Sequence, residues 1–158
     1  KSSWGDPSLE DFQRPLNKRG LRDAPDMGKR LAAKYPPPDH FASSPAARAW
    51  ATAEIVAQEW GFAQEELVPV DEVYEASTST LVNIVCQFPS TASLAVLTGH
   101  NPSITTAINL MSGRDIMNVP TCGIGVLRFK IESWAEVGEN GAELIDYDFP
   151  KNRPGHGQ

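Results

Sequence analysis

The sequence has few of the residues that hold metals or build disulfide frameworks. Only two cysteines, Cys86 and Cys122, occur among its 158 residues, and they are too far apart for a C-x-x-C site. We therefore expect reduced thiols, which are typical of cytoplasmic proteins. The three histidines are scattered, and together with these cysteines they make no set of metal ligands. The sequence accordingly predicts neither a metal nor another cofactor.

Long apolar runs and an excess of positive charge are also missing. No apolar stretch approaches the roughly 20 residues that cross a bilayer, and no signal-peptide pattern is present. The 14 Lys and Arg residues against 20 Asp and Glu residues give a net charge of -6. That charge argues against nucleic-acid or membrane partners because both attract basic surfaces, although it allows a single basic cleft. The P-loop, the dinucleotide-binding fingerprint and the G-x-S-x-G nucleophile motif are absent as well.

The sequence does contain an alternation of helical and extended patterns. Residues 21–35 and 44–61 have helical spacing, and in the second segment Ser44 is the predicted N-cap, with Pro45 at the first helical position. The apolar run at 93–98 is typical of a buried strand in a parallel sheet. The alternation predicts an α/β fold, specifically a three-layer α/β/α sandwich with a mostly parallel sheet.

The composition and length indicate a single globular domain. Hydrophobic residues make up 41% of the chain and charged residues 22%, a balance typical of globular proteins. We predict one domain over residues 1–150, followed by a flexible tail at 151–158. The first twenty residues are polar and rich in turn-forming residues, so they are predicted to form a long loop.

Two predicted junctions between a strand and a helix resemble each other. In F-A-S-S-P-A-A-R-A, Arg48 lies in the first turn of the helix, and in V-L-T-G-H-N-P-S, His100 precedes the helix. The N-terminus of a helix favours anions, and a guanidinium can hold a phosphate with two parallel hydrogen bonds. A histidine at the same place supplies a proton or a hydrogen-bond donor. The pattern therefore indicates a phosphate pocket that Arg48 and His100 share.

Each candidate residue also has a plainer interpretation. His100 can be a structural histidine at the end of a strand, and Arg48 a surface arginine. Arg14 can be a solvated charge in the opening loop, and Glu75 a carboxylate at the start of a helix. The residues alone predict an anion-binding α/β domain and no particular reaction.

Four segments resemble the motifs of a known family. S-S-P-A-A-R-A-W-A-T-A-E and G-H-N-P are similar to the S-P-x-x-R-A-x-x-T-A-E and second-histidine motifs of the histidine phosphatase superfamily, which includes the phosphoglycerate mutases. D-F-Q-R-P-L-N-K-R-G and V-P-T-C-G-I-G-V-L resemble the small SixA-type phosphohistidine phosphatases within it. The four segments occur in the family's order and span nearly the whole chain. The resemblance implies a phosphoglycerate mutase-like fold.

The resemblance also implies a reaction and a set of site residues. A histidine in an R-H-G or R-H-A motif attacks the phosphoryl group, and water hydrolyses the resulting phosphohistidine without a metal. By matching positions, Arg48 is the phosphate clamp and His100 the second histidine. Arg14 and Ser2 match positions that contact the phosphate, and Glu75 is a candidate acid.

The expected activity is that of a cytoplasmic phosphohistidine phosphatase. Its substrate would be a phosphohistidine on a partner protein, or a small phosphoester. The family motif would normally read R-H-A-K-S-S-W, and the sequence starts at the K of this motif. We therefore expect the nucleophilic histidine and its strand to lie just upstream of Lys1. Two alternatives stay open at this point. One is a mutase-like phosphatase acting on small phosphoesters, and the other is a phosphate-binding module without catalytic activity.

Overall fold

The computed structural model of the protein describes residues 10–152, which form alternating helices and strands. A single-turn 3-10 helix at Asp11–Gln13 comes first, and the longer elements follow. Within residues 10–152 no helix is both long and apolar enough to span a bilayer. The bounds are Lys18–Lys34 (α1), His40–Ser43 (β1), Ala47–Trp60 (α2), Val68–Pro69 (β2), Thr78–Cys86 (α3), Ala95–Thr98 (β3), Ser103–Ser112 (α4), Ile124–Phe129 (β4) and Ala142–Asp148 (β5).

The strands form two sheets. Strand β1 pairs in parallel with β2 on one side and with β3 on the other, so the order is β2-β1-β3. Strands β4 and β5 form an antiparallel pair with a register shift between Val126 and Leu127. The predicted α/β fold with a parallel sheet is therefore confirmed, and the two C-terminal strands add an antiparallel pair.

Helices cover both faces of the parallel sheet. Because successive side chains of a strand point to opposite faces, Phe41 and Ala42 of β1 enter different cores. Phe41 is only 1% exposed, and its burial contributes about 1.5–3 kcal/mol. Its core includes residues of α1 and α2, and the other core includes residues of α3 and α4, which gives the predicted three layers. The main members are Leu31, Val56, Ala57 and Trp60 in the first core and Leu81, Val85, Ala107 and Met111 in the second.

A slot lies between strands β3 and β4. In the part of the chain that the structure describes, β3 pairs only with β1, and β4 pairs only with β5. Two cavities, of about 560 and 230 Å³, are both lined by Val96 and Leu97 of β3 and by Gly123 and Ile124 at β4. We call the space between these four residues the slot. Its walls are apolar, and each strand turns an edge with hydrogen-bonding capacity towards it.

Helix α2 begins later than predicted. Its N-cap is Ala46 rather than Ser44, and its first residue is Ala47 rather than Pro45. The reason is that the Ser44 backbone, directly after β1, is still bonded to the neighbouring strand, since its N–H donates to the carbonyl oxygen of Thr98 over 2.9 Å. The Ser44 hydroxyl instead accepts a hydrogen bond of 3.2 Å from the Ala46 N–H. The predicted C-terminal stop is correct, because Gly61 has a φ of 82°.

The ends of the chain differ partly from the predicted loop and tail. Residues 1–9 and 153–158 lie outside the described residues. Helix α1 begins at Lys18, inside the predicted opening loop, because the Asn17 side chain caps it by accepting from the Gly20 N–H over 3.0 Å. At the other end, Arg30 donates to the carbonyl oxygen of Asn152 over 3.0 Å, which ties the start of the predicted tail to α1.

Candidate functional site

The two predicted junctions lie side by side at one edge of the sheet. Strands β1 and β3 run in parallel, and their last residues, Ser43 and Thr98, are paired in register. The segments that follow these strands therefore leave the sheet at the same edge, where ligands bind in open α/β sheets. The contact is direct, since His100 Nε2 lies 2.8 Å from the hydroxyl of Ser44.

The protonation state of His100 is set by its surroundings in the site. Burial and, to a smaller extent, the positive charge of Arg48 lower its pKa from 6.5 to about 4, against a smaller opposite effect of Asp11. The imidazole is therefore neutral at pH 7. An anion bound beside it would raise this pKa, because a nearby negative charge favours the protonated ring.

Arg48 is held in place by Asp11. Its Nη1 donates to the main-chain oxygen of Asp11 over 2.8 Å, and its Nη2 donates to the Asp11 carboxylate over 3.1 Å. Two of the five guanidinium N–H groups are used in these bonds. The Arg48 side chain is 19% exposed, so it lies near the surface without projecting freely into solvent.

Tyr74 completes the cluster around Asp11. Its hydroxyl donates to the same carboxylate oxygen of Asp11 over 2.6 Å. This hydrogen bond lowers the pKa of Asp11, with help from Arg48, and raises the pKa of Tyr74 to about 12. The Tyr74 ring also makes edge contacts with Phe12 and with His100, at centroid distances of 5.1 and 5.6 Å.

Arg48 and His100 line the same cavity, the one of about 560 Å³. Thr98 and Asn101 line it as well, and it extends from these residues to the slot. Asn101 stiffens this wall, since its side-chain amide donates to the carbonyl oxygen of Val119 over 2.7 Å and its oxygen accepts from the hydroxyl of Thr105 over 2.7 Å. The structure thus brings together the two residues that the sequence singled out for a phosphate pocket.

The other predicted site residues lie elsewhere. The side chain of Arg14 is buried and is not among the described residues that line the cavity. The backbone N–H of Arg14 donates to the main-chain oxygen of Asp11 over 3.2 Å, so its backbone adjoins the cluster. Glu75 is exposed, has a φ of 58° and does not line the cavity either. Ser2 lies outside the described residues.

Two residues of the cluster were missed from the sequence. Asp11 opens the D-F-Q-R-P-L motif, and Tyr74 directly precedes Glu75, the candidate acid. The motif at Asp11 was a usable signal, because it places an acidic residue at a fixed distance from Arg14. Nothing in the local pattern predicts that Tyr74 contacts Asp11, which lies 63 residues earlier.

These features define an α/β protein with a cavity, lined by Arg48 and His100, at the ends of parallel strands. The family model of the histidine phosphatase superfamily, branch 1, matches residues 10–81. The fold is similar to SixA from Agrobacterium tumefaciens, which is assigned as a phosphohistidine phosphatase, with a TM-score of 0.79 and 27% identity over 95% of this chain and 92% of that one. The chain thus resembles the histidine phosphatase superfamily over residues 10–81 and shares the fold of a SixA structure.

A second solved structure and two sequence relatives extend this comparison. The protein histidine phosphatase SixA complexed with tungstate shares the fold, with a TM-score of 0.80 over 95% of this chain and 92% of that one, at 15% identity. An uncharacterised chloroplastic protein of Arabidopsis thaliana is 31% identical over 85% of this chain, which spans only 65% of that protein. An uncharacterised protein of Mycobacterium tuberculosis is 28% identical over 96% of this chain and 98% of its own length.

Proposed function

We propose that this protein is a phosphohistidine phosphatase that transfers a phosphoryl group to water through a phosphohistidine intermediate. The observation that carries the proposal is the cavity shared by Arg48 and His100, which come from two different strand ends. The match of residues 10–81 to the histidine phosphatase superfamily model and the similarity to SixA support the same activity. The substrate class is a phosphohistidine on a partner protein, with a small phosphoester as the alternative.

Arg48 and His100 have complementary tasks in this reaction. The Arg48 guanidinium presents a planar fork that fits two phosphoryl oxygens, and its positive charge stabilises the charge that develops on them. Helix α2 begins one residue before Arg48, so its N-terminal partial charge has the same sign. His100 is neutral before substrate binds, and the arriving anion raises its pKa so that it becomes a charged donor.

The attacking group in this proposal is a histidine at the end of an additional strand, upstream of Lys1, that fills the slot. A strand parallel to β3 would end beside Thr98, at the same edge of the sheet as His100. With one strand inserted between them, β3 and β4 would lie about 10 Å apart, which is two inter-strand spacings. The slot supports this placement because both of its walls are apolar strand edges.

The bonds change in two steps. The attacking imidazole nitrogen forms a bond to phosphorus while the bond from phosphorus to the substrate nitrogen breaks, and the proton that the attacking ring loses is taken up by the leaving substrate imidazole. A water oxygen then attacks phosphorus, the bond from phosphorus to the enzyme imidazole breaks, and that imidazole takes up one water proton as inorganic phosphate is released. Arg48 and His100 hold the phosphoryl oxygens through both steps. Arg14 and Ser2 stay predicted phosphate contacts, and Glu75 stays a predicted acid for small phosphoesters.

The test uses the protein with the natural residues that precede Lys1. We expect phosphate release from a phosphohistidine-containing protein, and a rapid quench should trap enzyme that carries one phosphoryl group by intact mass. A phosphoserine peptide is the matched substrate control. If phosphohistidine and small phosphoesters are both left intact while tungstate still binds, the protein is a phosphate-binding module instead.

We also propose a cytoplasmic location, in keeping with Cys86 and Cys122, neither of which forms a disulfide.

A further inference from the structure

The cluster at Asp11 contains a carboxylate directly beside an arginine that is proposed to bind an anion. Asp11 contacts Arg48 through two acceptors, its main-chain oxygen at 2.8 Å and its carboxylate at 3.1 Å. The carboxylate does not line the cavity, whereas Arg48 does. Asp11 therefore contacts the guanidinium without filling the space that is available to an anion.

This arrangement restricts the orientation of the guanidinium. Both terminal nitrogens of Arg48 are bonded to one residue, so the plane of the guanidinium is fixed by two points rather than one. An arginine side chain has several rotatable bonds, and a phosphate that binds a mobile one must also order it. Holding Arg48 in advance removes that cost from the binding step.

Tyr74 in turn fixes Asp11. Its hydroxyl donates to Asp11 Oδ2 over 2.6 Å, the same oxygen that accepts from Arg48. The ring of Tyr74 is held by edge contacts with Phe12 and with His100. The tyrosine thus connects the carboxylate behind Arg48 with the second residue of the cavity.

We infer that Asp11 is a positioning residue for the phosphate clamp, and that the Tyr74 hydroxyl fixes the Asp11 carboxylate in that role. The inference rests on the proposed phosphate site and adds to it a carboxylate that does not touch the substrate. The Asp11 carboxylate would then increase phosphate affinity, although its negative charge by itself repels the ligand.

The direction in which one substitution changes anion affinity decides whether Asp11 positions Arg48 or competes with the anion for it. Coulomb repulsion alone predicts that removal of the Asp11 charge makes anion binding tighter. Competition between the carboxylate and the anion for Arg48 predicts the same. Positioning predicts weaker binding, because the neutral amide of Asp11→Asn holds the guanidinium less firmly than a carboxylate does.

The experiment measures tungstate and inorganic phosphate affinity by titration calorimetry on the full natural chain. Asp11→Asn should weaken binding by about fivefold or more, in line with the loss of one charge-assisted hydrogen bond, and Tyr74→Phe by a smaller factor. Asp71→Asn is the matched control, since Asp71 is exposed and lies close to Tyr74 in sequence, and its affinity should equal that of the wild type.

Two further readouts separate positioning from a general loss of structure. In the Arg48→Lys background, Asp11→Asn should have little added effect, because lysine has no fork to orient. The Arg48 Nε–Hε resonance, assigned by its loss in Arg48→Lys, should shift and broaden in Asp11→Asn while the backbone spectrum stays unchanged. Equal or tighter anion binding by Asp11→Asn would overturn the inference. A wild-type protein that binds no anion would overturn the phosphate site itself.

Discussion

Replacing Arg48 by alanine should abolish most phosphate binding and leave the fold intact. The guanidinium would give a phosphate two charge-assisted hydrogen bonds, each worth about 1.5–3 kcal/mol. Their loss corresponds to a weakening of Kd by at least about a hundredfold. His100, which also lines the cavity, offers only a partial replacement, because it is neutral until an anion raises its pKa.

The same substitution should cost little stability. Arg48 and Asp11 form an ion pair whose side chains are 19% and 41% exposed. Ion pairs this close to solvent contribute about 0–1 kcal/mol, so Tm should fall by no more than about 4 °C. Asp11 also keeps its hydrogen bond from Tyr74 in the variant, which limits the cost of removing its partner.

Titration calorimetry with phosphate or tungstate measures the binding effect, and a thermal melt measures the stability effect. Arg22→Ala is the matched control, because Arg22 is 71% exposed and pairs only locally with Asp23. We expect the control to bind like the wild type. A folded Arg48→Ala protein whose affinity lies within about threefold of the wild type would refute the assignment of Arg48 as the clamp.

The remaining predictions concern His100 and the packing of α1. His100→Ala should lower turnover of the complete enzyme by at least about a hundredfold in a phosphate-release assay, and unchanged turnover would make His100 structural. Because the pKa of His100 falls from 6.5 to about 4 on folding, the unfolded chain protonates first as the pH drops. Wild-type stability, measured by urea unfolding, should therefore fall between about pH 6.5 and 4, and a loss just as large in His100→Gln would contradict the shift. Gly28→Ala should destabilise the fold by about 1–3 kcal/mol in urea unfolding, because its Cβ would lie 2.8 Å from Glu59 Cβ. Gly138→Ala is its control, with no atom nearer than 4.0 Å, and equal effects would contradict the tight packing.

The alternation of helices and strands could be predicted because it follows from local chemistry. The apolar run that contains β3 has too few polar residues for an exposed position, although the strand is half-buried rather than fully buried as predicted. The helix stop at Gly61 needs a left-handed residue. The helix start at Ala47 could not be predicted in the same way. Ser44 has the chemistry of an N-cap, but pairing with Thr98 across the sheet takes its backbone, and that contact is not local in sequence.

The candidate site was predictable in part for a similar reason. Parallel strands end at a common edge, so two junctions with Arg48 and His100 are expected to meet there. The contact between Tyr74 and Asp11 joins the 3-10 helix at Asp11–Gln13 to a residue 63 positions later. A contact between residues so far apart cannot be predicted from the spacing of residues in the sequence. Glu75, the candidate acid of that segment, stays a prediction; it is exposed and is not among the described residues that line the cavity.

A crystal structure of the natural full-length protein with bound tungstate tests the central claim most directly. We predict one tungstate in the cavity at the ends of β1 and β3, with hydrogen bonds from both Arg48 and His100 to its oxygens. A tungstate bound away from these two residues, or held by one while the other points elsewhere, would contradict the claim that they bind a single anion together.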